Sequence, residues 1–497
     1  MNGLAYTRWN HPAPRIGFDW SPASGPEKLI GSPGNHELAV RAGFGVFFNR
    51  DSEEEALQNL SSPPYFFETR GAADLGGSPG FQDPFTDVTG DPTVSETNPF
   101  PYHLPAFGQP LNWPNYAEGD FSNVDKKYLP SYAYNFNLNV QRQIPGRMVL
   151  QIGYVGSLGR KLPRVTEGDP ITAAGHAACL ADHTCQKRGA LLHLYYPQDA
   201  AQPATVPGTN IPWYLSVGDQ LSNGASSYHS LQASLEKQTS HGLYFTLAYT
   251  YSHALDNGSG YESSTGGSSP NTAGGENGRP VNFIPGFDYL NYGSSDYDAR
   301  QRIVALYNYQ IPILASMRDN RIVNEALGGW HISGTTALQS GFPVTISAGG
   351  SFNSLWCDAL TYYGCPDVPN ISSTHVHLYS NPRSSPGHAW FDTSNFSPEP
   401  LGTFGNTPRN FFRSPGFNYT NLELYKDFHL NQESRYLEIR LESYNVFNHA
   451  NFAMPDGNVN DPGFGLVTNV IQPANFGGQA TDPQPGRATQ LAAKIYF

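Results

Sequence analysis

The chain has 497 residues, of which 14% are charged and 13% are aromatic, and its formal net charge is −13. A mean hydropathy of −0.44, with no apolar run of about 18 residues, argues against a helical membrane protein. The composition does not exclude a transmembrane β-barrel, because each barrel strand needs only about 10 residues and half of these face a polar lumen. The acidic balance argues against nucleic acid as a partner, since phosphate backbones require clusters of Lys and Arg.

Alternation of apolar and polar residues with a period of two recurs along the chain and predicts β-strands, whereas the helical period of 3.6 is scarce. In chain order the alternating segments are residues 15–20, 37–49, 132–142, 148–154, 230–237, 243–251, 302–311, 330–338, 418–428, 435–447 and 488–497. The third and fourth flank Pro145-Gly146, which predicts a tight hairpin. We therefore predict an all-β chain of about 11 antiparallel strands.

The connections between these strands alternate in length. Short ones lie near residues 21–36, 144–146, 240–242, 313–329 and 430–434. Long ones cover about 50–130, 158–226, 255–299, 349–416 and 448–487. Outer-membrane barrels have short periplasmic turns and long extracellular loops. The rhythm predicts an antiparallel transmembrane β-barrel in the outer membrane of a Gram-negative type bacterium, with its long loops extracellular and its C-terminus periplasmic.

The last segment is the sharpest single signal. Its apolar face carries Leu491, Ile495 and Phe497, and its polar face carries Gln490 and Lys494. A terminal Phe that closes such a strand resembles the signal read by the barrel-assembly machinery, so the three apolar residues are the candidate assembly signal. The alternative is an ordinary edge strand that happens to end in Phe.

Several motifs are typical of one family of outer-membrane proteins. They include residues 38–48 (LAVRAGFGVFF), 151–157 (QIGYVGS), 328–334 (GGWHISG), 339–343 (QSGFP), 405–410 (GNTPRN), 444–452 (YNVFNHANF) and 485–487 (PGR). These stretches, scattered over nearly the whole chain, resemble the C-terminal barrel region of TonB-dependent outer-membrane receptors. The resemblance is strongest to the Oar-like branch, whose members carry a carboxypeptidase-regulatory-like domain.

The resemblance implies a barrel of roughly 22 strands, with residues 1–497 as its C-terminal half. It also implies energy-dependent uptake of a solute that the sequence does not identify, with the TonB complex as a partner only if an upstream part carries a plug. No plug, TonB box or signal peptide is recognisable, so we expect a fragment of a longer receptor. The lipid of the outer membrane is the other expected partner.

Four cysteines fall as two close pairs within long connections, Cys179 with Cys185 and Cys357 with Cys365. Locally paired cysteines favour disulfides in an oxidising compartment. Free buried thiols are the next alternative, and a metal site is the least favoured because neither pair has zinc-ligand spacing.

A charge ladder is predicted where a long connection enters a strand. Asp296, Asp298, Arg300 and Arg302 have even spacing and would point to one side, which we expect to be the lumen. The ladder would either line the barrel wall or form part of a substrate path or plug contact. A similar lumen-facing network is predicted for the acidic and basic residues of the next-to-last strand pair, Glu423, Asp427, Glu438, Arg440 and Glu442.

The remaining motifs do not support catalysis or metal binding. Residues 76–80 (GGSPG) match a nucleophile elbow by letters only, because the elbow needs a strand before it and a helix after it. His375 and His377 lack further ligands for a metal. We predict no enzyme activity, no cofactor and no metal. The expected function is a receptor or transporter, and the alternatives are an adhesion or structural barrel and a soluble carbohydrate-binding protein.

Overall fold

The structure is a computed structural model. It describes residues 11–26, 37–49, 72–95, 98, 121–167, 172–182, 217–259, 291–313, 321–348, 353–355, 368–429, 435–470 and 486–497. Among these residues, no helix has the length and the apolar character needed to cross a membrane.

Eleven strands of the described chain form one antiparallel wall in which each strand pairs with its neighbour along the path. They are β1 (Arg15–Trp20), β2 (Leu38–Phe48), β4 (Tyr132–Ile144), β5 (Met148–Glu167), β6 (Val217–Ser240), β7 (Leu243–Asp256), β9 (Gln301–Gln310), β10 (Trp330–Gln339), β15 (Phe417–His429), β16 (Tyr436–Tyr444) and β17 (Ala488–Tyr496). The prediction of an all-β chain with about 11 antiparallel strands is confirmed. β1 and β17 form the two edges, so the wall is an open sheet.

The strand register separates the side chains of the wall into an apolar and a polar face. One row of paired residues is apolar from strand to strand: Trp20, Val40, Val140, Ile152, Ala233 and Tyr249. The adjacent row, one residue earlier or later along each strand, is polar or small: Asp19, Arg41, Asn139, Gly153, Gln232, Thr250 and Arg302. Because successive side chains of a strand point to opposite faces, the apolar row suits lipid and the polar row suits a lumen.

The short connections turn tightly because their residues adopt the left-handed conformation. His241 and Gly242 join β6 to β7, and both have positive φ, 54° and 77°. A two-residue loop with two positive φ angles matches the right-handed twist of the flanking strands. In the three-residue turn between β4 and β5, Gly146 (92°) and Arg147 (59°) also have positive φ.

Two strands are longer than the alternation predicted. β5 has 20 residues and β6 has 24, and they stay paired as far as Glu167 opposite Gly218. At about 3.3 Å per residue, 24 residues span roughly 80 Å, which exceeds the hydrocarbon thickness of about 30 Å. The β5–β6 ribbon therefore extends beyond a bilayer. β3 (Phe121–Val124) pairs with it in parallel at Val217–Gln220, a contact that the sequence did not predict.

The other elements are short and lie in the connections. Three strand pairings involve dipeptides: β8 (Gly293–Ser294) with β7, β11 (Pro343–Val344) with β14 (Phe412–Arg413), and β12 (Asn370–Ile371) with β13 (Phe396–Ser397). The α-helices within the described residues are α1 (Ala173–Asp182) and α2 (Arg321–Leu327). Single 3-10 turns cover Ala72–Leu75, Pro92–Val94, Pro386–His388 and Thr393–Asn395.

Candidate functional site

The described residues of two long connections, 340–348, 353–355, 368–416, 445–470 and 486–487, fold into one packed unit, which we call the loop unit. Its buried core consists of Val344, Ile346, Phe391 and Phe412. The Phe391 ring meets the rings of Phe412 and Phe464 edge to face, with centroids 4.8 and 5.4 Å apart. Phe464 belongs to the second connection, so the core joins the two. Such packing gives the loops a defined shape rather than a solvated ensemble.

A buried arginine ties the loop unit to the wall. The Arg409 guanidinium donates hydrogen bonds to Asp256 Oδ1 at 2.8 Å and to the Asn291 carbonyl at 3.1 Å. It also forms an ion pair with Asp296 at 3.4 Å. The side chains of Arg409 and Asp296 are each only 2% exposed. Since removing one partner of a buried ion pair leaves an uncompensated charge, these contacts hold the unit in one position on the end of β7.

A second set of charged contacts surrounds Asp298. Its carboxylate pairs with Arg413 of the loop unit, with Arg300 Nε at 3.0 Å and with His253 Nδ1 at 3.2 Å. The backbone N–H of Ala254 donates to its other oxygen at 2.8 Å. Burial lowers the pKa of the Arg413 guanidinium, and the charge of Asp298 acts in the opposite direction. We call Asp256, Asp296, Asp298, Arg409 and Arg413 the arginine–carboxylate cluster.

The structure places the four residues of the predicted charge ladder differently from the prediction of one row along a strand. β9 begins at Gln301, so Asp296, Asp298 and Arg300 precede the strand rather than line it. Only Arg302 lies on the polar face of β9, where it is exposed opposite Thr250 and Gln339. The two aspartates lie instead under the loop unit. Sequence spacing could not show this, because Arg409 lies 153 residues from Asp256.

The motif at 405–410, which contains Arg409, makes further hydrogen bonds to the segment before β9 and within the loop unit. Asn410 donates from its amide to the Ser294 carbonyl at 2.7 Å, and Thr407 donates to the Pro369 carbonyl at 2.5 Å. The amide oxygen of Asn406 accepts from the backbone N–H of Ile371 at 2.6 Å. A motif that marked only a resemblance in the sequence thus has a structural role in anchoring the loop unit.

The motif at 444–452 anchors the same unit at the ends of β15 and β16. Asn445 has a φ of 48° and closes a turn in which its side chain accepts from the N–H of His449 at 3.0 Å. Asn451 accepts from the N–H of Asn418 at 2.8 Å, and Asn448 accepts from the N–H of Arg487 at 3.0 Å. Asn suits such positions because it tolerates positive φ and offers an acceptor to the backbone.

The polar face of the last strands carries a network around Arg440. Its guanidinium lies within ion-pair distance of Glu438, Glu442 and Glu423, at 2.8, 3.2 and 3.7 Å. Arg440 Cζ lies 5.4 Å from the ring centroid of Tyr425. The Tyr425 ring also stacks on the His331 ring, with centroids 4.7 Å apart. The residues named from the even spacing of β15 and β16 therefore do meet. Asp427 lies on the same face, opposite Glu438.

The other candidate residues do not form a reactive group in the described part of the chain. Cys185, Cys357 and Cys365 lie outside the described residues, as does the side chain of Cys179, so the disulfide prediction stays a prediction. His375 and His377 are exposed, and the described residues contain no group of three potential metal ligands. The segment 76–80 follows the 3-10 turn Ala72–Leu75, with no strand directly before it.

The C-terminal segment forms β17, which pairs with β16 and is one edge of the wall. Leu491, Ile495 and Phe497 lie exposed, with Phe497 at 99%. Tyr496 stacks on Tyr436 with centroids 4.4 Å apart. The predicted strand is confirmed, and its role as an assembly signal stays a prediction.

The model of the family described as outer membrane beta barrel domain matches residues 1–489. The chain belongs to this family of outer-membrane β-barrels. It is similar to the outer-membrane transporter YddB from Escherichia coli, with 10% identity and a TM-score of 0.42 over 97% of this chain and 40% of that one. No curated protein matches the chain.

Two receptors of Pseudomonas aeruginosa are also similar to this outer-membrane β-barrel chain at low identity. A variant of the ferric enterobactin receptor PfeA shows 9% identity and a TM-score of 0.39, over 97% of this chain and 40% of that one. The siderophore receptor PirA shows 9% identity and a TM-score of 0.34, over 100% of this chain and 43% of that one. The barrel chain therefore spans about two fifths of the length of these structures.

Proposed function

We propose that the chain is the C-terminal barrel wall and outer-loop unit of an Oar-like TonB-dependent receptor. It binds a solute at its long loops and takes part in energy-dependent uptake, without catalysing a reaction. In this proposal the long connections are extracellular and the C-terminus is periplasmic. The plug and the TonB contact belong to another part of the receptor.

The observation that carries the proposal is the anchoring of the loop unit by the arginine–carboxylate cluster. Arg409 and Arg413 fix one long connection against the end of β7 and the segment that enters β9, and the apolar core holds the second connection to the first. A receptor needs binding loops that keep their shape without a ligand, because ordering them on binding would reduce affinity. A barrel that served only as a membrane pore would not need such a unit.

The polar network around Arg440 supports the same interpretation of the wall. Four carboxylates and one guanidinium on a single sheet face are suited to a hydrated lumen or a plug contact and unsuited to lipid. The apolar face on the other side of the same strands presents Ile439, Leu441 and Leu491. This division of faces is what a transport barrel requires.

Uptake by whole cells tests the proposal. The gene encoding the complete receptor would be deleted and restored in its host, with growth measured on ferric chelates, oligosaccharides or short peptides as limiting nutrients. We expect restoration of growth on one class, and loss of that growth when TonB is inactivated. Unchanged growth on every class, together with lost attachment of the deletion strain to surfaces, would contradict uptake and support an adhesion or structural barrel.

A further inference from the structure

The connection between β9 and β10 differs from the other described turns on the short-connection end of the wall. It contains α2, on which Ile322 is 80% exposed and Leu327 is 52% exposed. The β4–β5 and β6–β7 turns instead consist of Pro145-Gly146-Arg147 and His241-Gly242. Two large apolar side chains on one short helix are costly in water and favourable in lipid.

Hydrogen bonds place α2 on the apolar face of the wall. The indole N–H of Trp330 donates to the Ala326 carbonyl at 3.1 Å, and the Lys426 ammonium donates to the Gly328 carbonyl. Trp330 and Lys426 pair with each other across β10 and β15, in the same row as Ile439 of β16. Both residues that hold the helix end thus belong to the apolar face.

Lys426 gives a physical reason for the end of α2 to lie against the apolar face of the wall. Its side chain is on the apolar face, yet the residue is only 4% exposed. The ammonium lies 5.6 Å from the ring centroid of Trp330 and 5.1 Å from that of Phe428. Aromatic faces and a carbonyl at a helix C-terminus both attract a cation. Without α2, this charge would meet lipid without the Gly328 carbonyl that accepts its hydrogen bond.

We propose that α2 lies in the lipid interface of the outer membrane, with Ile322 and Leu327 among the acyl chains of phospholipids. The helix continues the apolar face of the wall around its short-connection end, where Trp330, Lys426 and Phe428 lie on that face. Aromatic and basic residues at this level are typical of a membrane–water boundary. The choice of phospholipid rests on the proposed function and its orientation, in which the short connections face the periplasm.

Photo-crosslinking in the membrane tests the proposal. A benzophenone amino acid would replace Ile322 in the complete receptor, in its own outer membrane, and irradiation would be followed by mass analysis of the protein. We expect an adduct with the mass of one phospholipid. Asn324 is the matched control, because it is exposed on the same helix but about 200° further round its axis, and it should give several-fold less adduct.

The possible outcomes test the interfacial position of α2 separately from the orientation of the chain in the membrane. Equal adducts at the two positions, protein adducts at Ile322, or no adduct from correctly assembled receptor would overturn the interfacial helix. Adducts of lipopolysaccharide in place of phospholipid would overturn the proposal as stated and with it the assigned orientation, while leaving the uptake test unaffected. Folded protein would be verified by heat-modifiable migration in electrophoresis, so a failure to assemble cannot be mistaken for a missing contact.

Discussion

At the scale of single residues, Arg409 connects two parts of the molecule that are far apart in sequence. Its guanidinium is buried between Asp256 and Asp296 and links the loop unit to the wall. We expect Arg409→Met to destabilise the loop unit by about 3 kcal/mol, because two carboxylates lose their partner in a buried site. The measurement is hydrogen exchange of residues 368–416, which should quicken by roughly 100-fold if the unit opens locally.

Arg383→Met is the matched control for this change. Arg383 lies in the same loop unit but is exposed, with its guanidinium 5.8 Å from the ring centroid of Phe452. We expect a change within about 0.5 kcal/mol, as for most surface substitutions. Equal acceleration of exchange in both variants would show that Arg409 has no special anchoring role.

Residue-scale roles were the least predictable from the sequence. Asp296 and Asp298 stood out by their even spacing, but the partners that bury them lie more than a hundred residues away, as with Arg409 and Asp296, 113 residues apart. The short motifs at 405–410 and 444–452 stood out only as a resemblance. Their physical role, capping and anchoring through Asn side chains, needs the three-dimensional neighbours that spacing does not reveal.

At the scale of elements, the tight turns set the register of the wall. Gly242 has a φ of 77°, and a Cβ placed on it would lie 2.9 Å from the Gln310 carbonyl oxygen. We expect Gly242→Ala to lower the free energy of unfolding by about 1–2 kcal/mol, through backbone strain and that contact. Urea unfolding of the membrane-inserted receptor, followed by tryptophan fluorescence, would measure it.

His241→Asn is the companion change in the same turn. Asn tolerates positive φ at least as well as His, so stability should stay within about 0.5 kcal/mol. A loss equal to that of the glycine variant would mean that the turn conformation does not limit stability.

In the last strand, the role of Phe497 as an assembly signal can be tested separately from its contribution to the stability of the wall. Phe497 is 99% exposed, so Phe497→Ala should hardly change the stability of the folded wall. If the residue is an assembly signal, the variant will accumulate less in the outer membrane yet refold normally into lipid vesicles. Lys494→Gln, on the opposite face of β17, is expected to assemble as the unaltered protein does. Equal accumulation of both variants would remove the signal role.

Strands were predictable and loop elements were not, for a physical reason. Alternation records the difference between two environments on the two faces of a strand, and it is present in β4 and β9. It fades in the distal half of the β5–β6 ribbon, where neither face is required to be apolar. β3 and the dipeptide strands pair with segments far away in sequence, so they have no local pattern to read.

At the scale of the whole molecule, the alternation of connection lengths predicts that the long connections lie outside the cell and the short ones in the periplasm. An epitope inserted after Thr374, an exposed residue of the loop unit, should be labelled by antibody on intact cells. The same epitope between Gly146 and Arg147 should be labelled only after the outer membrane is opened. The reverse pattern would place the long connections in the periplasm and contradict the proposed receptor.

The parity of the wall limits how it can close. With 11 strands that alternate in direction, β1 and β17 run the same way, so pairing them with each other would create a parallel contact. All-antiparallel closure needs an odd number of further strands, and roughly 22 strands in total would leave about 11 of them. Lipid does not tolerate the unpaired N–H and C=O groups of an open edge, so we expect further strands to cover both edges.

Expression of residues 1–497 alone tests this limit. We expect no heat-modifiable, detergent-resistant band, because the edges of β1 and β17 stay unpaired, and we expect such a band when the rest of the receptor is co-expressed. Correct targeting would be ensured in both cases by the same added export signal. A heat-modifiable monomer of the chain alone would show that β1 and β17 pair in parallel. A heat-modifiable dimer would show that two copies close one barrel, and either result would contradict completion by additional strands.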